Sequence, residues 1–192
     1  GALSLNLGDT LDNTSGSAIT LINNNGLNLN SSVMFIFTGT SDLNFGNGAV
    51  TLNGGDRTIR VNGGKLTLGG TLGEDAPGRG LIKDGIGVLV LSSSNNTYSG
   101  TTQLISGGSE GTSTLEVNTL ADGGLNSSIG RSSSDASNLV IKSGNTLRYT
   151  GLGASIDRLF TIANGSIGCA IDASGAGALQ FTNAGTVVNG GS

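Results

Sequence analysis

Histidine and tryptophan are absent from this 192-residue sequence, and proline, cysteine and methionine occur once each. Without histidine, a nucleophilic serine lacks its usual general base. The lone Cys169 excludes an intramolecular disulfide framework. Its setting, Ser166-Ile167-Gly168-Cys169-Ala170-Ile171, predicts a strand with the thiol in or near a core, and no cation stands beside it in sequence to activate it. Aromatic residues make up only 4% of the chain, so the bulk that fills a compact globular core is missing and Leu, Ile, Val and Ala must fill a narrow interior. Charged residues are equally scarce at 11%, against roughly 25% in ordinary soluble domains. No apolar run approaches the roughly 18 residues of a membrane span, the longest being Val33-Met34-Phe35-Ile36-Phe37. A net charge of -4 and a pI near 4.5 argue against nucleic acid or an anionic membrane as partner, since both demand a basic footprint.

What is present is glycine, at 35 residues, together with Ser, Thr and Asn and a regular aliphatic pattern. That regularity argues against disorder. Apolar residues alternate with polar ones at Leu3, Leu5 and Leu7, at Leu27 and Leu29, at Val50 and Leu52, at Ile59 and Val61, and at Leu66 and Leu68. The same period of two returns at Leu115 and Val117, Leu147 and Tyr149, and Leu179 and Phe181. Each run predicts a short strand with one face against a core. Between them lie Asn25-Gly26, Asn53-Gly54-Gly55, Asn62-Gly63-Gly64, Asn164-Gly165 and Asn189-Gly190, residues that tolerate the positive φ of a tight corner. Asn-Gly is also a hairpin signal, so the corners alone fit an antiparallel meander nearly as well as a solenoid.

Repetition discriminates between the two. The stretches Asp42 to Leu52 and Asp56 to Leu68 share one plan of Asp, strand, Asn-Gly corner and strand, and the strands near Leu81-Ile82 and Val88 to Leu91 keep the cadence. Stacked units that bury an apolar edge only against their neighbours give that signature. The fold class expected is all-β, a right-handed parallel β-helix, as one β-solenoid domain over residues 1–192 with a repeat-like core at about 42–183. Two stretches interrupt it, 106–114 and 119–138, and such insertions are expected to project from the rod as loops, where a binding function would sit. No helical cap is expected at either end, which leaves strand edges open to self-association.

The run Arg57-Thr58-Ile59-Arg60-Val61-Asn62-Gly63-Gly64-Lys65-Leu66-Thr67-Leu68-Gly69-Gly70, then Gly80-Leu81-Ile82-Lys83-Asp84-Gly85-Ile86-Gly87-Val88-Leu89-Val90-Leu91, then Asn95-Asn96-Thr97-Tyr98-Ser99-Gly100-Thr101-Thr102, resembles the autotransporter-associated β-strand repeat. That family shows a Lys, a Gly-x-Gly, an alternating Leu strand and an Asn-Thr-Tyr-x-Gly-x-Thr turn. Segments at Leu147 to Gly151, Asp157 to Ile162 and Ile171 to Asn183 look like those that follow the repeat, whereas the first forty residues carry no motif. The strand after the Thr-rich turn departs from the pattern, because Gly107 to Ser113 intervenes before Thr114-Leu115. The resemblance implies a passenger segment of a larger secreted, autotransporter-type surface protein. Such a segment is exported across the outer membrane to the cell surface or beyond, and its repeats aid export and folding. The chain starts at Gly1 without a signal peptide and reads as a mature or excised segment.

Motifs for chemistry are discounted one by one. Gly107-Gly108-Ser109-Glu110-Gly111 matches G-x-S-x-G, but no base exists and no helical pattern follows. Glu74-Asp75 beside Pro77 reads as a solvated turn, while Asp56, Asp75 and Asp84 are placed to share one face if adjacent coils bring them together, as a β-helix polysaccharide lyase or hydrolase would need. In Lys83-Asp84, neighbours on a strand point to opposite faces, so an exposed Lys83 beside a satisfied turn aspartate is expected. Calcium nonapeptides and phosphate loops have no match, and Asn-x-Ser/Thr sequons carry no weight in so Asn- and Ser-rich a chain. No catalytic, metal or cofactor residue is assigned, and no cofactor is expected. The functional expectation is a non-catalytic rod or stalk for surface display or adhesion. Its alternatives are a self-associating extracellular fibre unit, a module that binds surface glycans or host proteins, and, least favoured, a carbohydrate-degrading enzyme. Direct membrane insertion is not expected.

Overall fold

The computed structural model describes residues 1–6, 8–30, 34–105, 112–163 and 168–190. The chain winds into a β-solenoid with up to three short strands per rung. Rung 1 holds β1 (Leu3–Leu5), β2 (Thr10–Leu11) and β3 (Ile19–Thr20); rung 2 holds β4 (Leu27–Leu29), β5 (Phe35–Phe37) and β6 (Leu43–Asn44). Rung 3 holds β7 (Val50–Leu52), β8 (Arg57–Val61) and β9 (Lys65–Leu68), and rung 4 holds β10 (Leu72–Glu74), β11 (Leu81–Asp84) and β12 (Val88–Leu91). Rung 5 has β13 (Thr102–Leu104) and β14 (Ser113–Val117), and rung 6 has β15 (Leu139–Lys142) and β16 (Asn145–Tyr149) after a short 3-10 turn at Ala136–Asn138. β17 (Ala154–Ile156), β18 (Thr161–Ala163) and β19 (Ala170–Asp172) form rung 7, and β20 (Leu179–Phe181) and β21 (Val188–Gly190) begin the next.

Every pairing between named strands is parallel. Sheet A runs β1-β4-β7-β10, sheet B runs β2-β5-β8-β11-β13-β15-β18-β21, and sheet C runs β3-β6-β9-β12-β14-β16-β19 in space, with β17-β20 as a separate pair. The corners at Asn25-Gly26, Asn53-Gly54-Gly55 and Asn62-Gly63-Gly64 therefore bend the chain from one sheet to the next rather than reversing it into hairpins, whereas Asn189-Gly190 falls inside β21 and is no corner. Parallel strands need a crossover, and here the rest of each rung supplies it.

Register follows from the period of two, because a slip by one residue would turn every leucine outward. Sheet C stacks Leu43, Leu66, Leu89, Leu115, Leu147 and Ile171 directly upon one another. Sheet A stacks Leu3, Leu27, Val50 and Leu72. Inward residues of rungs 3 to 6 are fully buried, among them Leu52, Ile59, Leu66, Leu81, Leu89, Leu115 and Leu147. Each such side chain contributes roughly 1.5–3 kcal/mol by leaving water. The ends are looser: Leu3 is 40% exposed, and Leu179 and Phe181 are half-buried against Phe160, whose ring meets Phe181 edge-on at 5.2 Å. Cys169 is half-buried and packs against the core, as its flanking residues suggest.

Polar side chains tie rung to rung. Asp12 accepts from Thr40 N and Oγ1, Asp42 from Lys65 N, and Asp56 from Gly80 N, each one rung further along. Asn53 Nδ2 donates to Asn30 Oδ1 at 2.7 Å. The acidic residues that look scattered in sequence are in these cases corner acceptors for backbone N–H groups of the next rung.

Candidate functional site

The stretch 119–138 is built into the solenoid rather than projecting along its whole length. In rung 5 the sheet A position is taken by Asn96 to Ser99, which stack on β10: Thr97 N donates to Leu72 O, and Ser99 Oγ to Glu74 Oε1. Asn96 is fully buried, accepts from Leu72 N at 2.8 Å and donates through Nδ2 to Ser128 O at 2.8 Å, so one amide links rung 4 to the insertion. Tyr98, also fully buried, shares a 2.8 Å hydrogen bond with Thr102 Oγ1, and burial raises its phenol well above the usual range. Asn96-Thr97-Tyr98 thus serves as the seat for the insertion. Gly130 (φ 72°) lies so close that a Cβ there would overlap Tyr98 O. Leu120 and Ile129 join the core.

Arg158 locks this arrangement from rung 7. Its side chain is only 2% exposed. Nε donates to Ala121 O at 2.8 Å, Nη1 to Ser132 Oγ at 3.0 Å and Nη2 to Gly130 O at 3.1 Å, with longer contacts to Asp122 O and Leu125 O. Asp157 Oδ1 accepts from Gly123 N, and Asp157 N donates to Asp122 Oδ1. Burial depresses the Arg158 pKa, opposed by Tyr98, Asp157 and Asp122. A planar fork with five donors suits a set of divergent backbone acceptors in a way that lysine cannot. The tip of the insertion is exposed at Asp122, Gly124, Leu125 and Asn126, Leu125 at 58%.

A second accessible feature is a charge ladder on the outer face of sheet C. Glu116 Oε2 lies 3.9 Å from Lys65 Nζ and 3.7 Å from Arg148 Nη1, and Arg148 Nε meets Asp172 Oδ2 at 2.9 Å. The hydrogen bond from Arg148 holds the Asp172 carboxyl below its ordinary range. Its support is therefore present above the unfolded carboxylate pKa and lost as the pH falls through the lower folded value. Exposed ladders of this kind add little stability. Arg148→Gln is expected to leave the urea midpoint almost unchanged, which equilibrium unfolding would check.

The other residues that sequence brings forward do not converge. Asp56 caps Gly80 N, Asp75 pairs with Arg79 at 2.8 Å and accepts from Gly54 N, and Asp84 stands at the far end of β11 beside Arg60, whose Nε is 3.7 Å away. Glu74 accepts from Arg79 N and Ser99 Oγ. The Glu74-Asp75 corner is hence a hydrogen-bonded junction, and among the described residues no three acidic or thiol groups gather as a metal site would require. The Gly107 to Gly111 motif and the Asn164-Gly165 corner lie outside the described residues.

The expectation for Lys83 is overturned. Its side chain points inward and is fully buried, and its Nζ donates to Asp84 O, Gly85 O and Ser113 Oγ. Lys83 takes the core face in line with Leu81, and Asp84, itself buried at the corner, stands beside Arg60 of β8. Arg57 is likewise turned inward, 3% exposed beneath the Gly54-Gly55 corner, and its Nε and Nη1 have no hydrogen-bond partner among the described residues. Burial, then Arg79, depresses its pKa. Replacing a buried, incompletely hydrogen-bonded charge by an apolar side chain of similar length ranges from neutral to stabilising. Arg57→Met is expected to raise unfolding stability by about 1–3 kcal/mol, and a lower urea midpoint would contradict it.

Comparison with known proteins bears on these features together. The passenger-associated-transport-repeat family matches residues 81–109, which run from β11 through the Tyr98 seat and β13, residues 106–109 lying outside the described ones. A stretch of 73 residues is 56% identical to the adhesin BmaC autotransporter of Brucella suis biovar 1 (strain 1330), covering 38% of this chain. The match spans 2% of the length of that relative. No solved structure matches the chain.

Proposed function

We propose, from the premise that this chain is an autotransporter passenger repeat protein, that it acts as a non-catalytic structural segment of a surface-exported adhesin, stacking rungs that hold an adhesive region away from the cell. The observation that supports this most is where its polar chemistry goes. Asp42 and Asp56 spend their hydrogen bonds on the next rung, and Asn96 and Arg158 on tying the insertion to the rungs beside it, so they build length rather than a pocket. The adhesin name of the relative fits the same role at the cell surface. At about 4.8 Å per rung, the described rungs make a prism on the order of 35 Å long.

A second reading, self-association, draws on exposed apolar side chains. Ile22 at 83% exposure, with Leu21, flanks a shallow groove bounded by Thr20, Asn23 and Asn25. Exposed apolar surface of this kind invites a partner. A third, capture of a glycan or host protein, would fall to the tip around Leu125.

Small-angle scattering over a concentration series separates the first two. A longest dimension that stays constant supports the structural segment, and one that doubles with concentration supports stacking. For the third, binding to immobilised glycans or matrix proteins that is lost in Leu125→Asp would assign recognition to the insertion.

A further inference from the structure

Lys83 stands in a column that is otherwise apolar. Up sheet B the inward positions run Phe35, Ile59, Lys83, Leu104, Ile141 and Ile162. A lysine there has a local reason. The corner from β11 to β12 leaves Asp84 O and Gly85 O facing the interior, where water cannot reach them, and a carbonyl without a donor in a dry core is costly. Lys83 Nζ serves both at 2.7 Å and reaches Ser113 Oγ, the first residue of β14 in the next rung, at 2.8 Å.

The surroundings accept either protonation state. An ammonium supplies three donors to three acceptors. A neutral amine keeps two donors for the two carbonyls, and its lone pair takes the hydroxyl proton of Ser113, whose rotor turns freely between donor and acceptor. The charged groups near it are Asp84 on its own corner and Arg60 of β8, which lies beside that carboxylate. Ile59 and Leu104, which pair with it, carry no charge, and Glu116 and Lys65 lie on the outward face of sheet C. Beyond Ser113 in register is Asn145, buried and neutral.

We propose that Lys83 is a proton-operated lock between rungs 4 and 5, gaining and losing its proton in place while the Ser113 hydroxyl reverses its hydrogen bond. Burial lowers its pKa to about 7, the Asp84 carboxylate opposing and Arg60 assisting the shift. The unfolded amine titrates near ~10.4, so between the two values the unfolded chain holds more protons and stability rises with pH. Below the folded value both states are charged and the junction carries the full burden of a buried ammonium. Lowering the pH from the unfolded value to about 7 therefore loosens the solenoid first where β11 and β12 pass to β13 and β14, and further acid adds nothing through this group.

The chain has three lysines, Lys65, Lys83 and Lys142, which makes the test direct. With lysine ε-carbons labelled, NMR titration is expected to show one resonance with a midpoint near 7, about three pH units below an unperturbed lysine. Lys65→Arg and Lys142→Arg, substitutions on the outside of the solenoid, should each delete a different resonance and leave this one, assigning it to Lys83 without disturbing its site. The proposal is overturned if no lysine titrates below about 9, or if the low midpoint vanishes with either arginine variant.

Discussion

Arg158→Met is expected to release the insertion from the solenoid and to cost about 3 kcal/mol, because it strips donors from several buried acceptors at once. Ala121 O, Gly130 O and Ser132 Oγ would each lose a charge-assisted partner, and the methionine stem offers none in return. The loss should be local. In a stacked architecture each rung depends on its neighbours, so residues 119–132 would lose hydrogen-exchange protection before rungs 2 and 3 do. Arg158→Lys is expected to recover only part of the stability, since a single ammonium cannot reach acceptors spread around a planar fork. Unchanged protection across 119–132 in the methionine variant would show that Asn96 and the Asp122-Asp157 pair suffice to hold the insertion.

Gly70→Ala should be comparably severe for a steric reason. At the corner from sheet C to sheet A, Gly70 lies against Gly48 of the rung before it, and an added Cβ would overlap the Gly48 carbonyl oxygen. Gly48 stands in the same relation to the carbonyl of Asn25. The obstacle is backbone in both cases, so no side chain can swing aside, and the rungs must part at that corner. A loss on the order of 3 kcal/mol is expected. Gly168→Ala is the control: among the described residues nothing lies within 4 Å of its added Cβ. Its urea midpoint should match the parent within error. If Gly70→Ala also matched, rungs 2 to 4 could not be stacked as closely as the structure has them.

Much of the fold is legible in the sequence because its physics is local. The runs at Leu27-Leu29, Val50-Leu52, Ile59-Val61 and Leu66-Leu68 appear as strands with buried, half-exposed and buried residues in turn. The repeat of Asp42 and Asp56 ahead of their strands marks corners that fold as inter-rung caps. The insertion is less legible. Its Ser, Gly and Asn content suggests an outward loop, yet Ser127, Ser128 and Ser132 are buried, with Asn96 donating to Ser128 O from 32 residues away and Arg158 to Ser132 Oγ from 26. A signal did exist in Asp157-Arg158, but nothing in that dipeptide reveals which backbone it will reach.

Sequence alone determined that the chain is all-β, that one face of each strand is apolar and that the units repeat, since alternation and glycine corners act over a few residues and allow few other outcomes. Tertiary structure alone decided which polar groups go inside. Whether Lys83 lies on the core face, whether Arg57 has a partner and whether residues 119–138 project or pack depend on what the next rung places beside them. That contact is set by register across about 23 residues, and the hydrogen-bonding needs of buried carbonyls, invisible in a linear pattern, then choose the side chain that answers them.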